Sequence, residues 1–144
     1  VLTKENLAYL SSLPYRIDCE HYTLVHSSPS KPEAWEYVLS LEMAARQFPA
    51  FSTPLCFIGH THVPFICGED LRTFSFKRGL RFLLNVGSVG QPRDGNPQLC
   101  FGILDLEDWT YKDVRADYDI HGASKAITDA NLPSVLASRL FLGR

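Results

Sequence analysis

The strongest structural signal in this sequence is LCFIGHTH, which occupies residues 55–62. Its first four residues are continuously apolar, which is typical of a short strand buried on both faces of a sheet. A glycine and two histidines follow at the end of that strand. In α/β proteins, ligands bind outside the ends of the strands, where side chains from several strands meet. The segment therefore predicts an α/β domain with a functional site at the end of a buried strand.

Length and composition agree with one globular domain over residues 1–144. Of the 144 residues, 45% are hydrophobic and 21% are charged, and both shares are ordinary for globular domains. A domain of this length buries roughly 70% of its unfolded surface, so one core suffices. The net charge of −2 creates no field that would attract nucleic acid, and such a partner is unlikely. No apolar run approaches the roughly 20 residues of a membrane span, so no membrane partner is expected.

The start of the chain and its cysteines bear on location. Val1 is not followed by a charged stretch and an apolar stretch, so a signal peptide is not expected. A piece of a longer protein and a trimmed chain are equally compatible with this start. Cys19, Cys56, Cys67 and Cys100 form no C-x-x-C motif, and three of them lie in apolar runs, where a free thiol behaves as a small hydrophobic group. A reducing, cytoplasmic setting is therefore predicted.

Hydrophobic periodicity and turn residues predict helices that cover a largely antiparallel sheet. Thr3 is a candidate N-cap for a helix that ends before Pro14. An amphipathic helix is predicted over residues 32–48. The other predictions are helices at 120–130 and 134–142, the latter ended by Gly143, and strands at 15–18, 22–26, 55–58, 64–67, 73–76, 81–86, 99–106 and 109–115.

Three of the five histidines lie where a site is expected. His26 ends an apolar run, and His60 and His62 form an H-x-H pair. Alternate residues of an extended chain point to the same side, so the pair is expected to reach one cluster. Neutral imidazole is a good ligand for zinc, iron, nickel and manganese ions. Two hydrogen-bonded polar histidines remain an alternative, and His21 and His121 are expected to be ordinary surface residues.

A second candidate segment is NVGSVGQPRDGNP, residues 85–97. Gly87 and Gly90 permit positive φ, so successive backbone N–H groups could turn inward and bind an anion. Arg93 offers a planar guanidinium suited to phosphate oxygens. A nucleophile elbow at Ser88 is excluded because valine occupies the position two residues earlier. A P-loop is excluded because no Lys-Ser/Thr pair follows the glycines, and a long surface turn remains an alternative.

Together, VHSSP at 25–29, GHTHVP at 59–64 and NVGSVGQPRDG at 85–95 resemble the calcineurin-like metallophosphoesterase family. The likeness is greatest to its small prokaryotic phosphodiesterase and diadenosine-polyphosphatase-like members, and RLFLGR at 139–144 fits their C-terminus. The resemblance implies a four-layer αββα sandwich of which this chain is the C-terminal part. It also implies metal-dependent hydrolysis of phosphate esters.

By motif, the resemblance implies that His26 and His60 bind one divalent ion and that His62 binds a second. The ions would be of the manganese, iron, zinc or nickel class. Two cations about 3.5–4 Å apart hold the phosphoryl oxygens and lower the pKa of a bridging water. Arg93 and the loop residues Gly87, Ser88 and Gly90 are candidates for positioning the phosphate.

The sequence also departs from the family pattern. The D-x-H, G-D-x-x-D and G-N-H segments that family members carry ahead of these histidines are not found there. The resemblance therefore implies that a missing N-terminal half supplies the acidic ligands. We expect this chain alone to hold at most one ion, weakly, and to be inactive. An exposed apolar sheet face would favour pairing with that half or with a second copy. A non-catalytic interaction or regulatory module is the alternative function.

Overall fold

Five strands form one mixed sheet, and two more form a separate antiparallel ribbon. The computed structural model describes residues 2–144. The strands are β1 (Arg16–Asp18), β2 (Tyr22–Val25), β3 (Leu55–Ile58), β4 (Phe65–Gly68), β5 (Phe82–Asn85), β6 (Leu99–Asp105) and β7 (Thr110–Ala116). The helices are α1 (Lys4–Ser12), α2 (Leu41–Ala45), α3 (Ile120–Asp129) and α4 (Ser134–Ser138), with 3₁₀ turns at Pro32–Ala34, Phe48–Ala50 and Arg139–Leu142. Most predicted elements are present close to their predicted bounds.

β3 is the central strand of the larger sheet, whose order is β1-β2-β3-β5-β4. It pairs in parallel with β2 and with β5, while β1 and β4 pair antiparallel at the two edges. The β6–β7 ribbon is antiparallel. Three of the five strand pairings are thus antiparallel, which agrees with the predicted α/β class and largely antiparallel sheet. The parallel pairings bring the carboxyl ends of β2, β3 and β5 to the same edge of the sheet.

The core lies on both faces of β3 and β5, because side chains alternate along each strand. On one face, Leu55, Phe82 and Leu84 pack against aromatic residues of the ribbon, including Trp109 and Tyr111. The other face holds a second buried apolar cluster of Val25, Val38, Ala44, Phe48, Phe51, Cys56, Ile58, Cys67 and Leu83. The continuous apolar run at residues 55–58 is therefore packed on both faces, as predicted.

A large apolar cavity lies between α1, strands β1–β3 and the β6–β7 ribbon. Its volume is about 980 Å³. Its lining is mostly apolar and includes Leu13, Tyr15, Ile17, Leu24, Phe57 and Leu104. Helix α1 buries none of its own residues. This side of the molecule therefore presents apolar surface that residues 2–144 leave uncovered.

The predicted amphipathic helix over residues 32–48 is wrong. A 3₁₀ turn at Pro32–Ala34 is followed by Trp35 in the left-handed conformation, with φ of 55°, which ends any helical path. Helix α2 begins only after Ser40, whose side chain accepts a hydrogen bond from the Met43 N–H. Apolar spacing carries no sign of a left-handed residue, so periodicity alone misses this break.

The predicted strand over residues 73–76 is also wrong. The Asp70 carboxylate accepts hydrogen bonds from the N–H groups of Arg72 and Thr73 and from the Thr73 hydroxyl. These bonds lower the pKa of Asp70 to about 2. The Thr73 carbonyl accepts from the Gly68 N–H at 2.7 Å. Local side-chain bonds to the backbone therefore form a turn where a strand ladder was expected.

The last predicted helix divides into α4 and the 3₁₀ turn at Arg139–Leu142. It ends at Gly143 in the left-handed conformation, with φ of 61°, as predicted for a C-terminal glycine. A Cβ at this position would lie 2.7 Å from the backbone of Asn96, so close packing also requires glycine. None of the helices among residues 2–144 is both long enough and apolar enough to cross a bilayer.

Candidate functional site

Parallel pairing of β2 and β3 brings two of the predicted histidines together. His26 follows β2 and His60 follows the glycine at the end of β3. The Gly59 N–H donates to the His26 carbonyl at 3.0 Å, which continues the ladder beyond the strands. Nε2 of His26 lies 3.2 Å from Nδ1 of His60, and the ring centroids are 5.1 Å apart. The two imidazoles therefore present nitrogens to one point at the end of the sheet.

His62 is held by the loop that follows β5. Its Nδ1 lies 2.7 Å from the carbonyl oxygen of Gln91. A carbonyl only accepts hydrogen bonds, so Nδ1 carries the proton and Nε2 keeps its lone pair. This is the tautomer of a histidine that binds a metal through Nε2, with the other nitrogen oriented by a backbone carbonyl.

His60 and His62 are not alternate residues of an extended chain, so that part of the prediction is wrong. Both adopt the left-handed conformation, with φ of 66° and 62°. The chain turns sharply because the Thr61 N–H donates to the Gly59 carbonyl at 2.7 Å, while the Thr61 hydroxyl accepts from the Val63 N–H at 3.2 Å. Such backbone costs about 1–3 kcal/mol at each non-glycine residue and persists only where its surroundings fix it.

Asn85, the last residue of β5, stabilises this turn through hydrogen bonds. Its side chain is fully buried. Nδ2 donates to the Gly59 carbonyl at 2.8 Å and to the Thr61 hydroxyl at 2.9 Å, and Oδ1 accepts from the Gly87 N–H at 3.0 Å. One amide thus ties the loop after β3 to the loop after β5. The sequence signal for this role is limited to a polar residue at the end of an apolar strand, directly before the loop that contains Gly87 and Gly90.

In the loop after β5, which contains Gly87 and Gly90, backbone N–H groups donate hydrogen bonds to side chains of Asn85 and Ser88. Gly87 has φ of 77°, and a Cβ there would lie 2.7 Å from the Cβ of Cys100, so glycine is required. Gly90 is not in the positive-φ region. The Ser88 hydroxyl accepts from the N–H groups of Gly90 at 3.4 Å and Gln91 at 3.0 Å. These groups hold the loop together, and the predicted inward-facing anion nest is not formed by them.

The charges of two arginines, Arg93 and Arg139, act on His62 and lower its pKa. The Arg93 N–H donates to the His62 carbonyl at 3.1 Å, and its guanidinium lies 3.4 Å from Oε1 of Gln91. Arg139 begins the last 3₁₀ turn, and its Nε is buried with no hydrogen-bond partner in the described part of the chain. A guanidinium with an unused N–H is suited to bind an oxyanion. No local pattern in the sequence singles out Arg139.

Comparison with solved structures identifies proteins that share this fold. A metallophosphoesterase from Sphaerobacter thermophilus matches 99% of this chain, with a TM-score of 0.92 and 38% sequence identity. The chain is similar to this metallophosphoesterase over nearly its whole length. The resemblance carried by the VHSSP, GHTHVP and NVGSVGQPRDG segments is thereby confirmed, as is the fold as part of a metallophosphoesterase. The match covers 64% of the Sphaerobacter chain.

Two further proteins match nearly all of this chain and only part of their own length. A hypothetical protein from Pyrococcus horikoshii OT3 has the same fold, with a TM-score of 0.74 and 19% identity over 97% of this chain and 55% of that chain. An uncharacterized protein of Methanocaldococcus jannaschii is 35% identical over 160 residues, covering all of this chain and 62% of the relative. No family model matches the chain. The chain therefore spans less than two thirds of the length of each of these three proteins.

The histidine pair fits the metal chemistry of a metallophosphoesterase. Two nitrogens on one tetrahedral zinc ion, each about 2.0–2.1 Å from the metal, stand roughly 3.3 Å apart. The observed separation of His26 Nε2 and His60 Nδ1 is 3.2 Å, which is close to that value and also meets the geometry of a hydrogen bond between the two rings. Across residues 2–144, no three His, Cys, Asp or Glu side chains are grouped so as to hold one ion. The described residues thus supply nitrogen donors that fit a divalent ion, without a carboxylate beside them.

The electrostatic surroundings keep two of these imidazoles neutral. Desolvation lowers the pKa of His26, and the neighbouring His60 and His62 lower it further. Desolvation also lowers the pKa of His62; the bond to Gln91 opposes this, and the charge of Arg93 reinforces it. Only the neutral imidazole has a lone pair for a metal ion, so both residues are prepared as ligands near neutral pH.

Two aromatic residues that sequence analysis placed on a helix surround the histidine pair. The Trp35 ring centroid is 5.3 Å from that of His26 and 5.6 Å from that of His60. The Tyr37 ring stacks on His60, with centroids 4.3 Å apart and 19° between the planes. Both lie in the irregular segment between the first 3₁₀ turn and α2, which hydrophobic periodicity cannot identify.

The remaining histidines make packing contacts elsewhere. His21 lies edge-on to Trp109, with ring centroids 6.1 Å apart. His121 packs against Phe141 at 5.0 Å and belongs to the one D-x-H triplet of the sequence, Asp119-Ile120-His121. Asp119 accepts a hydrogen bond from the Gly122 N–H at 2.7 Å and caps α3. That carboxylate is therefore a helix cap, and it follows the histidine motifs in the chain.

Proposed function

We propose that the complete protein hydrolyses phosphate esters with two divalent metal ions, of the manganese, iron, zinc or nickel class, and that this chain supplies the histidine side of the site. The observation that carries the proposal is the 3.2 Å approach of His26 Nε2 to His60 Nδ1 at the ends of adjacent parallel strands. Similarity to a metallophosphoesterase, at 38% identity and a TM-score of 0.92, supports the reaction class.

In this proposal His26 and His60 hold one ion and His62 holds the other. Bound divalent ions supply Lewis-acid stabilisation of the phosphoryl oxygens and a lowered pKa for water. Arg93 and Arg139 offset phosphate charge beside His62, since preformed cationic donors stabilise developing negative charge. Gly87, Ser88 and Gly90 contribute by holding the loop that orients His62 and Arg93, because their hydrogen bonds are internal.

The acidic ligands would come from the part of the relatives that lies outside this chain's match. Three neutral imidazoles do not offset two dications, so residues 1–144 alone are expected to hold at most one ion weakly and to be inactive. The apolar cavity of about 980 Å³ gives such a segment a surface to cover. Ile17 and Leu24, which line it, are 46% and 39% exposed.

Hydrolysis of bis-p-nitrophenyl phosphate by the complete protein tests the proposal. We expect activity that requires added Mn²⁺ or Zn²⁺ and that is lost in His60→Ala. His21→Ala, at a histidine that packs on Trp109, is the matched control and should retain activity. Metal-dependent turnover by residues 1–144 alone would contradict the division of the site. Lack of metal binding and turnover in the complete protein would favour the non-catalytic module.

A further inference from the structure

Residues 139–144, which we call the Gly143 turn, lie against the loop that orients His62. The turn consists of the last 3₁₀ segment and the two residues that follow it. Its backbone is closed on itself, because the Gly143 N–H donates to the Leu140 carbonyl at 3.4 Å. The Leu140 side chain is buried. The Gly143 turn is therefore an anchored support for whatever packs against it.

The loop after β5 receives three contacts from the Gly143 turn. The Gly95 N–H donates to the Gly143 carbonyl at 3.0 Å, and Nε2 of Gln91 donates to the backbone oxygen of Arg144 at 3.4 Å. Gly143 is buried, and a Cβ there would lie 2.7 Å from backbone atoms of Asn96. The turn therefore contacts the loop at both ends of the segment that carries the His62 partners.

That loop segment reaches His62 through its own backbone. The Gln91 carbonyl lies 2.7 Å from Nδ1 of His62, and the Arg93 N–H donates to the His62 carbonyl at 3.1 Å. Pro92, between the two, is fully buried. The residue whose carbonyl selects the His62 tautomer is thus the residue whose side chain bonds to the Gly143 turn. A displaced turn would move or release that carbonyl.

We propose that the Gly143 turn is a positioning element for His62 and that it acts through the Gln91 carbonyl. The turn fixes the loop, the carbonyl holds the proton on Nδ1, and Nε2 keeps its lone pair for the second metal ion. The role of Nε2 rests on the proposed two-metal function, whereas the hold on Nδ1 is independent of it. Gly143 touches no reacting atom, so its influence on the reaction passes through the tautomer and orientation of His62.

Gly143→Ala is the deciding variant, because the added methyl group must move either the turn or the loop. Histidine-selective ¹⁵N NMR of the complete protein, without and with Zn²⁺, reports the tautomer of each imidazole in mildly alkaline buffer, where the rings are uncharged. In the unaltered protein without Zn²⁺, the bond to the carbonyl should favour the Nδ1–H form of His62 by roughly tenfold. Gly143→Ala should lose most of that preference.

Other histidines serve as reporters in the same spectra. The His121 ring packs on Phe141 of the Gly143 turn, with centroids 5.0 Å apart, so its signal shows whether the turn has moved. His26 should be unchanged, since its ring neighbours belong to other segments. Gly79→Ala is the matched control, because Gly79 also has a positive φ, of 84°, but nothing lies within 4 Å of an added Cβ. It should move no histidine signal.

Zn²⁺ titration by calorimetry connects the tautomer to the site. In Gly143→Ala, one of the two ions should bind about tenfold more weakly, as for other residues that orient ligands. The ion proposed for His26 and His60 should keep its affinity. Gln91→Met removes the side-chain bond to Arg144 without adding an atom against packed backbone. It should shift the His62 tautomer in the same direction by a smaller amount.

Each contrary result has a distinct meaning. A displaced His121 signal with an unchanged His62 tautomer would overturn the proposal, because the turn would then move without reaching the ligand. Unchanged signals at both rings would overturn it as well, since loop and turn would then accommodate the methyl group freely. Equal weakening of both Zn²⁺ ions would show that Gly143 only supports the fold.

Two further results keep the test decisive. If Gly143→Ala does not fold, an unchanged His62 tautomer in Gln91→Met overturns the proposal, and a shifted one supports it. A shifted tautomer in a complete protein that binds no Zn²⁺ would support the hold on Nδ1 of His62 and overturn the proposed two-metal function instead.

Discussion

Two neighbouring regions of the molecule differ in how completely this chain packs and hydrogen-bonds them: the loops at the strand ends and the apolar cavity. At the carboxyl ends of β2, β3 and β5, buried Asn85 and the Ser88 hydroxyl hold the site loops through hydrogen bonds made within the chain. Beside α1 and the β6–β7 ribbon, apolar side chains line an open cavity. The loops of the first region are held by hydrogen bonds within this chain, whereas the apolar side chains of the second region are not packed against other residues of this chain. The site's histidine half is therefore preformed, while the surface that needs further packing lies next to it.

The largest expected difference between these regions is in core packing. Leu83→Ala in β5 removes a fully buried side chain and should lower the free energy of unfolding by about 2–5 kcal/mol. Leu24→Ala, on the cavity side, should cost under about 1 kcal/mol in residues 1–144, as for exposed positions. Urea denaturation measures both.

The same pair of variants also tests the proposed cover. If the remainder of the complete protein packs into the cavity, Leu24→Ala should cost about 2 kcal/mol or more there, because the side chain becomes buried. Equal and small losses for Leu24→Ala in the short and complete forms would show that this surface stays open.

The next effect concerns the hydrogen bonds that fix the site loops. Asn85→Asp keeps the acceptor for the Gly87 N–H but removes the donor to the Gly59 carbonyl. The Gly59 carbonyl keeps its bond from the Thr61 N–H, but the loss of both Nδ2 bonds and a buried carboxylate facing that carbonyl should cost about 2–3 kcal/mol. Metal affinity should fall roughly tenfold, as for other residues that orient ligands. Asn131→Asp, at an exposed residue after α3, is the control; equal Zn²⁺ affinity in both variants would refute the positioning role of Asn85.

A smaller effect separates close packing from backbone conformation. Gly87 and Gly79 both have positive φ, of 77° and 84°, but only Gly87 lies against a neighbour, Cys100. Gly87→Ala should therefore lose about 1–3 kcal/mol more in unfolding free energy than Gly79→Ala, which is the usual cost of overpacking. Equal losses would mean that the loop can move away from Cys100 and is less fixed than its hydrogen bonds suggest.

The regular part of the fold was accessible from the sequence because it depends on repeating patterns. The apolar run at 55–58 identified β3, and their positions at strand ends identified His26 and His60 as candidate site residues. These two inferences used the period of side chains and the tendency of sites to form at strand ends. That His26 and His60 act as a pair was implied by motif resemblance, which also indicated the family.

The parts that sequence analysis missed depend on single residues in unusual backbone. Left-handed Trp35 breaks the predicted helix, and left-handed His60 and His62 replace the predicted extended pair. Such conformations are stabilised by tertiary hydrogen bonds, such as those that Asn85 makes to the turn around His60. They produce no periodic pattern in the sequence. The C-terminal turns bring the charge of Arg139 near enough to lower the pKa of His62, and local patterns in the sequence do not encode that approach.

The smallest expected effect compares two helix caps. Thr3 caps α1 by accepting from the Asn6 N–H at 3.1 Å, and Ser40 caps α2 by accepting from the Met43 N–H at 3.2 Å. Loss of such a cap costs about 1 kcal/mol of helix stability. Helix α2 contains buried Ala44, whereas α1 contains no buried residue, so only α2 is coupled to the core.

Ser40→Ala should therefore lower global stability by about 1 kcal/mol, while Thr3→Ala in residues 1–144 should leave it unchanged and only speed amide exchange within α1. Native-state hydrogen exchange separates these cases, since local fraying does not require global unfolding. In the complete protein, a cover over the cavity would pack against α1 and couple it to the core. Thr3→Ala should then lower global stability as Ser40→Ala does, and the absence of that change would place the missing packing elsewhere.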